Sequence, residues 1–228
     1  MGRRGSETTY TLESPEVQAL CDSDARLSLL IRHYGDLTYS LHTDEFSFFV
    51  ETIIGQMLSN KAADAIATRL YELCGSELKP ETVSTLDIQA LRGIGLSGLK
   101  TDYILQMADR MIESPDYFSG FNAESDNEII RRLTALRGIG SWTAKMYLIF
   151  VLDRLDVLPH EDGAFLQAYK WIYDTDDVRP KQIEKRCTRW SPYSSLAARY
   201  LYCALDEGLT RDAGLCEKLY EIKLKDIE

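Results

Sequence analysis

Residues 136–163 read LRGIGSWTAKMYLIFVLDRLDVLPHEDG, a glycine turn that runs straight into an apolar helix. A Gly-x-Gly turn at a helix start, here Gly138-Ile139-Gly140, presents first-turn N–H groups that have no intrahelical partner. Such groups suit an anion, phosphate above all. Twenty-two residues past Gly140 comes a carboxylate, Asp162, just after Pro159. Residues 129–152 hold Arg131, Arg132, Arg137 and Lys145 and no Asp or Glu. A phosphate-holding turn joined by one helix to a single carboxylate can grip a nucleic-acid backbone and act on a group beside it.

The remaining periodicity is helical, and it predicts an all-α fold. Phe46, Phe49, Val50, Ile53, Ile54, Met57 and Leu58 recur at helical spacing, so one stripe of that helix is expected to be buried. A second helix is expected over 61–73, stopping near Gly75. Ser97 is placed to cap a helix carrying Leu99, Tyr103, Ile104, Met107, Ala108 and Met111 on one side. Ser125-x-x-Glu128 forms a capping box that opens a helix through Leu133. Ser141 is expected to cap the helix after the glycine turn, and residues 195–205 form another helix. Strand patterns are essentially missing, and residues 1–15 read as a polar, mobile leader. LRGIG occurs twice, at 91 and at 136. The repeat fits a pair of helix-hairpin-helix units, or, more plainly, two helix C-cap glycines followed by turns.

A chain of 228 residues makes one large domain or two small lobes. The net charge of −10 counts against nucleic-acid binding, for which a basic domain is expected. Binding depends on the local face, however, and the acid sits elsewhere. Glu7, Glu13, Glu16, Asp22 and Asp24 lie near the start, and Asp174, Asp176 and Asp177 lie after Asp162. Weak, strongly salt-sensitive DNA affinity is the expected consequence. The five cysteines are odd in number and form no CxxC, which fits reduced thiols in an intracellular protein. The three histidines, His33, His42 and His160, are scattered, so no metal site is expected. No apolar run approaches the ~18 residues of a membrane span, and no secretory signal is visible.

Four segments carry a family resemblance. LRGIG-SWTAK resembles the hairpin of the helix-hairpin-helix DNA glycosylases, whose usual form is LPGIG-x-WTA. FVETIIGQMLSNKAADAI at 49–66 resembles that family's GQ-x-LS-x-KAA helix pair. LRGIGLSGLKTDYI at 91–104 resembles its GLS-x-x-K-x-x-YI segment, and RWSPYSSLAARYLY at 189–202 its RW-x-PWRS-x-AA-x-YLW helix. The match covers roughly residues 25 to 205, and the nearest branch is that of the alkylpurine, or 3-methyladenine type II, glycosylases. The four-cysteine iron–sulfur loop of other branches is absent from the sequence.

The resemblance implies two helical lobes with the active-site cleft between them. The hairpin lobe would span about 43–144, and the second lobe 16–42 with 145–228. Asp162 falls at the position of the family's catalytic Asp. A carboxylate is a natural stabiliser of an oxocarbenium-like transition state. Asp162 also reads as a helix N-cap before AFLQAY, and Glu161 is a neighbour that competes for the assignment. Bifunctional relatives carry a nucleophilic Lys two residues after the second hairpin Gly, where this chain has Trp142, so no lyase chemistry is implied. Trp142 reads as base pocket or as a core aromatic. Tyr193, in place of a family Trp, and Met146, where some relatives have Tyr, also fall at pocket positions.

Gln56 and Met57 match the element that fills the gap left by a flipped nucleotide, and Met57 reads equally as core. Gly138 and Gly140 would meet a phosphate, with Lys145 adding charge. Arg137 replaces the usual Pro, adding a phosphate contact or loosening the turn. No cofactor is implied beyond a monovalent cation at the hairpin carbonyls. The expected partner is damaged double-stranded DNA, bound by a monomer with no membrane or obligate protein partner. The implied activity is monofunctional excision of alkylated purines in base excision repair, leaving an abasic site. The alternatives are a glycosylase for deaminated, oxidised or mismatched bases, and a non-catalytic duplex-DNA-binding module.

Overall fold

The computed structural model describes residues 4–211. Among them are twelve α-helices and one two-stranded sheet, which makes the fold all-α in character. The chain divides into two compact units. One comprises Met1–Ser6 and Leu41–Leu152, the other Glu7–Ser40 and Asp153–Glu228. The division falls at Leu152 rather than at 144, because the helix after the glycine turn packs with the elements before it.

The chain opens with β1 (Arg4–Tyr10), then α1 (Pro15–Ser23), α2 (Ala25–Tyr34) and β2 (Leu37–His42). The strand pair corrects the expectation of a mobile leader and of no strands. RGSETTY shows no alternation of apolar and polar residues, so periodicity gives no strand signal. Side-chain pairing supplies what the pattern lacks. Thr9 Oγ1 meets Thr38 Oγ1 at 2.9 Å, and the Tyr10 ring stacks on Tyr39 with centroids 6.3 Å apart.

The first unit contains α3 (Glu45–Gly55), α4 (Asn60–Leu73), α5 (Pro80–Ser84), α6 (Ile88–Gly93), α7 (Gly98–Glu113), α8 (Asp126–Leu133) and α9 (Ser141–Phe150). Phe46, Phe49, Val50, Ile53 and Ile54 of α3 are buried, but the expected stripe ends there. The helix stops at Gly55, so Met57 and Leu58 leave the core side and are exposed. A ring cluster of Phe48, Phe49, Phe118, Phe121 and Tyr147 fills the centre of this unit. On α7, Ile104, Met107, Ala108 and Met111 face inward as expected, whereas Leu99 is exposed. Ser97 caps α7 through the Lys100 N–H at 3.3 Å. Ser125 caps α8 through the Glu128 N–H, but the Glu128 carboxylate binds Arg131 at 2.5 Å, so the capping box is half made. Gly140, not Ser141, is the N-cap of α9. Ser141 is already the first helical residue.

The second unit adds α10 (Gly163–Tyr173), α11 (Pro180–Cys187) and α12 (Ser194–Asp206) to α1 and α2. Its core is built from Val17, Leu20, Leu27, Ile31, Phe165, Ile172, Trp190 and Leu201, among others. The Asp24 carboxylate lies inside this apolar layer. It caps α2 by accepting from Arg26 N and Leu27 N, both at 3.1 Å. It also accepts from Trp190 Nε1 at 3.2 Å and from the Tyr173 hydroxyl. Burial holds the Tyr173 phenol far above its usual range, and the adjacent Asp24 charge adds to the shift. Trp190 is therefore a packing residue with its one polar atom satisfied.

Asp24→Ala removes a cap worth about 1 kcal/mol and strands buried donors at about 1–3 kcal/mol each. The variant should lose at least about 3 kcal/mol of unfolding free energy, read as a fall in the urea midpoint. A midpoint shift worth less than about 0.5 kcal/mol, the scale of an ordinary surface substitution, would show that the hub is not structural.

Candidate functional site

In the first unit, the glycine turn is fixed by a close approach. Gly138 adopts φ +85°, and a Cβ there would lie 2.5 Å from Cδ2 of the Tyr103 ring on α7. L side chains rarely adopt this conformation, and one here would have to displace the Tyr103 ring. Gly140 has extended backbone and open space around its Cα. Ile139 between them is buried and pins the turn to the core, while Arg137 and Gly140 are exposed. The first turn of α9 carries no acidic residue.

The acid-free basic stretch is not a uniform cationic surface. Arg131 pairs with Glu128, and Arg132 pairs with Glu124 while its guanidinium lies 4.3 Å from the Phe121 ring centroid. Both acids come from the residues just before the stretch, which hid the pairing from a reading of the stretch alone. The remaining cations, Arg137 and Lys145, flank the turn in sequence. Arg137 lies 6.0 Å from the Tyr103 ring centroid. Trp142 is half-buried on α9, and Met146 is buried one turn later.

The structure brings Gln56 to the same turn. Its Nε2 donates to the Gly138 carbonyl at 2.9 Å. Next to it Met57 is 100% exposed at φ +58°, which removes the core reading of this side chain. A separate cavity of about 410 Å³ lies against α3 and α4, lined by Glu51, Ala63, Asp64, Ala67, Thr68 and Tyr71. It contains none of the residues singled out from the sequence, and its two carboxylates make it unsuited to an anion.

In the second unit, Asp162 is only 8% exposed. It caps α10, accepting from Phe165 N at 2.7 Å, and its own N–H donates to the Pro159 carbonyl at 2.9 Å. The capping role expected of this residue is therefore present. The Tyr202 phenol of α12 lies near enough to the same carboxylate to feel its charge. Burial holds that phenol far above its usual range, and the Asp162 charge reinforces the shift. Glu161, by contrast, is exposed and lies 3.7 Å from His160 Nε2. The two adjacent carboxylates are thus distinguished by environment.

Beside Tyr202, the sequence reading missed a buried cation. Arg199, 7% exposed, stacks 3.6 Å from the Tyr39 ring centroid and pairs with Asp153 at 3.6 Å. Tyr39 completes the group by donating to Asp153 Oδ1 at 2.9 Å. An Arg inside the apolar run LAARYLY is the one signal that pointed to it. Tyr193 is half-buried at the start of α12. The turn that carries it is tied down by Asp156, which accepts from Ser191 Oγ at 2.6 Å, Ser194 Oγ at 2.6 Å and Ser194 N at 3.2 Å. Among the described residues, no group of three or more His, Cys, Asp or Glu is spaced to hold a metal ion. No helix among them is long and apolar enough to cross a membrane.

The DNA-3-methyladenine glycosylase 1 of Schizosaccharomyces pombe is 29% identical over 205 residues, covering 86% of this chain and 87% of that one. A crystal structure of a DNA-3-methyladenine glycosidase from Bacillus halodurans superposes with a TM-score of 0.75 at 34% identity, over 86% of this chain and 92% of that one. The S. pombe 3-methyladenine DNA glycosylase Mag1, solved in complex with abasic DNA, gives a TM-score of 0.73 at 26% identity, over 81% and 93%. Residues 50–192 match the family described as HhH-GPD superfamily base excision DNA repair protein, a span that includes the glycine turn, Trp142 and Asp162. The chain belongs to the HhH-GPD superfamily of base excision DNA repair proteins.

Proposed function

We propose that this chain is a monofunctional DNA glycosylase that flips alkylated purines out of duplex DNA and hydrolyses their N-glycosidic bond. The observation that carries the reading is the buried Asp162 carboxylate, held at the start of α10 with Tyr202 beside it. The names of the S. pombe and B. halodurans relatives support 3-methyladenine as a substrate.

Such a base is cationic, so it leaves with the bonding electron pair as a neutral molecule and needs little acid assistance. The sugar is left electron-poor at C1′, and the Asp162 carboxylate balances that charge. Water adds to C1′ and gives up a proton, so the product is an abasic site. Trp142 supplies an electron-rich face for the cationic base, with Met146 and Tyr193 as further pocket residues. Gly138 and Gly140 offer backbone to a phosphate, with Arg137 and Lys145 contributing charge. Met57 is the side chain that enters the gap left by the flipped nucleotide. A monovalent cation at the hairpin would find two carbonyls in use. Leu136 O accepts from Ile139 N at 3.2 Å, and Gly138 O accepts from Gln56. Only their second lone pairs remain, and no step is routed through a cation.

Asp162→Asn keeps a good N-cap, so fold and DNA affinity should persist. Single-turnover excision of 3-methyladenine from a duplex should fall at least ~100-fold, the usual cost of one lost electrostatic stabiliser. Glu161→Gln should stay within about threefold of wild type, a difference of well under 1 kcal/mol in barrier. The reverse ranking of the two variants would reassign the carboxylate.

Because Trp142 stands at the lyase position, borohydride should trap no covalent enzyme–DNA adduct, and strands should break only after alkali or heat. An adduct lost in Lys145→Ala would overturn the monofunctional assignment.

Gly140→Val places a branched side chain where a phosphate would approach, at a backbone conformation that tolerates it. Affinity should drop for damaged and undamaged duplexes alike, since phosphate contacts carry no sequence information. Lys145→Ala should flatten the salt slope of binding by about one unit if it meets one phosphate. Salt-independent binding that survives both changes would reduce the hairpin to a simple turn.

A further inference from the structure

Met57 is an apolar side chain held wholly in solvent on a left-handed, non-glycine backbone. Both features carry a cost, so neighbouring groups must hold them in place. Three contacts do so. Lys100, in the first turn of α7, reaches the end of α3 and donates through Nζ to Ile54 O at 2.8 Å and Gln56 O at 2.6 Å. An ammonium on the last carbonyls of a helix satisfies groups that have no intrahelical partner and sits at the negative end of the helix dipole. On the far side of Met57, Ser59 caps α4 through Ala62 N. Between these, the Gln56 amide is committed to the Gly138 carbonyl, so the tip is tied directly to the glycine turn.

The same helix supports that turn. Tyr103 is one turn beyond Lys100 on α7, and its ring is the surface against which Gly138 packs. One face of α7 therefore carries both the exposed methionine tip and the phosphate-binding turn. We propose that Lys100 and Gln56 are positioning residues that fix the spacing between Met57 and the Gly138–Gly140 turn. Gripping the DNA backbone and filling the vacated base position are thereby one event. This rests on the glycosylase reading above. It gives Gln56 a different role from the gap-filling one that its motif suggests, because its side-chain donor is spent within the protein. Lys100 touches no nucleotide in this scheme and acts through Met57.

The test is a double-mutant cycle on the full chain, with Lys100→Met, Met57→Ala and the double variant. Two quantities are read, each with thermal unfolding as a control. Affinity for an undamaged duplex reports the backbone grip. Fluorescence of a 2-aminopurine placed beside an abasic-site analogue reports unstacking. Lys100→Met should leave undamaged-duplex affinity within about twofold and lower the fluorescence enhancement about as much as Met57→Ala does. The double variant should be no worse than Met57→Ala alone, because residues that act through one another are not additive. Gln56→Leu removes only the link to the turn and should show the same non-additivity with Met57→Ala, which keeps the test available if Lys100→Met does not fold. Multiplicative effects, or equal losses in grip and unstacking, would overturn the brace while leaving the glycosylase reading intact. A wild-type protein that releases no base from alkylated duplexes and gives no fluorescence change would overturn both.

Discussion

A side chain at position 138 would collide with a neighbouring ring. The Tyr103 ring takes the space where a Cβ would stand, and the backbone there has a positive φ. This exclusion organises much of the first unit. Because the turn closes directly on α7, its outer edge at Arg137 and Gly140 is left facing solvent. Because Ile139 is buried, the turn cannot rotate away. The carbonyl of Gly138 is then available at a fixed point, where Gln56 meets it. A glycine that looks like flexibility in the sequence is a point of rigidity in the fold.

Asp162 serves two functions with one carboxylate. As an N-cap it satisfies Phe165 N and starts α10, and as a buried anion it is the charge on which the proposed chemistry rests. Structural and chemical roles need not compete here. A cap holds the carboxylate in one rotamer at no cost to its charge, which is the preorganisation that electrostatic stabilisation requires. Glu161 lies 3.7 Å from His160 Nε2, and its exposure lets water screen it.

Much of this was legible in the sequence because it is local. The helices over α4, α7 and α8 follow from 3.6-residue spacing and Ser caps that lie three residues from their partners. The glycine turn and Asp162 follow from a contiguous motif and its spacing. What could not be read depends on residues distant in sequence. Arg131 and Arg132 looked like a cationic face until Glu128 and Glu124 were found beside them. The exposure of Met57 depends on where α3 ends, and Lys100, some forty residues later, holds that end. Arg199, Tyr39 and Asp153 come from three separate segments of the chain. The strand β1 escaped notice because its pairing is carried by Thr and Tyr side chains rather than by alternating hydrophobicity.

The first strand also bears on how this chain tolerates trimming. Residues 1–15 read as a polar, mobile leader, yet Tyr10 stacks on Tyr39, the ring that also carries the buried Arg199 guanidinium. Burial already presses the Arg199 pKa below the usual arginine value, with Tyr39 and Asp153 opposing that shift. Cutting the chain at residue 15 would remove β1, the strand paired with β2 among the described residues, and leave a row of backbone donors and acceptors open. It would also uncover one side of the aromatic support around a cation that the interior cannot easily keep. The setting of Arg199 on α12, the helix that carries Tyr202, is thus tied through Tyr39 to a short polar segment far away in sequence.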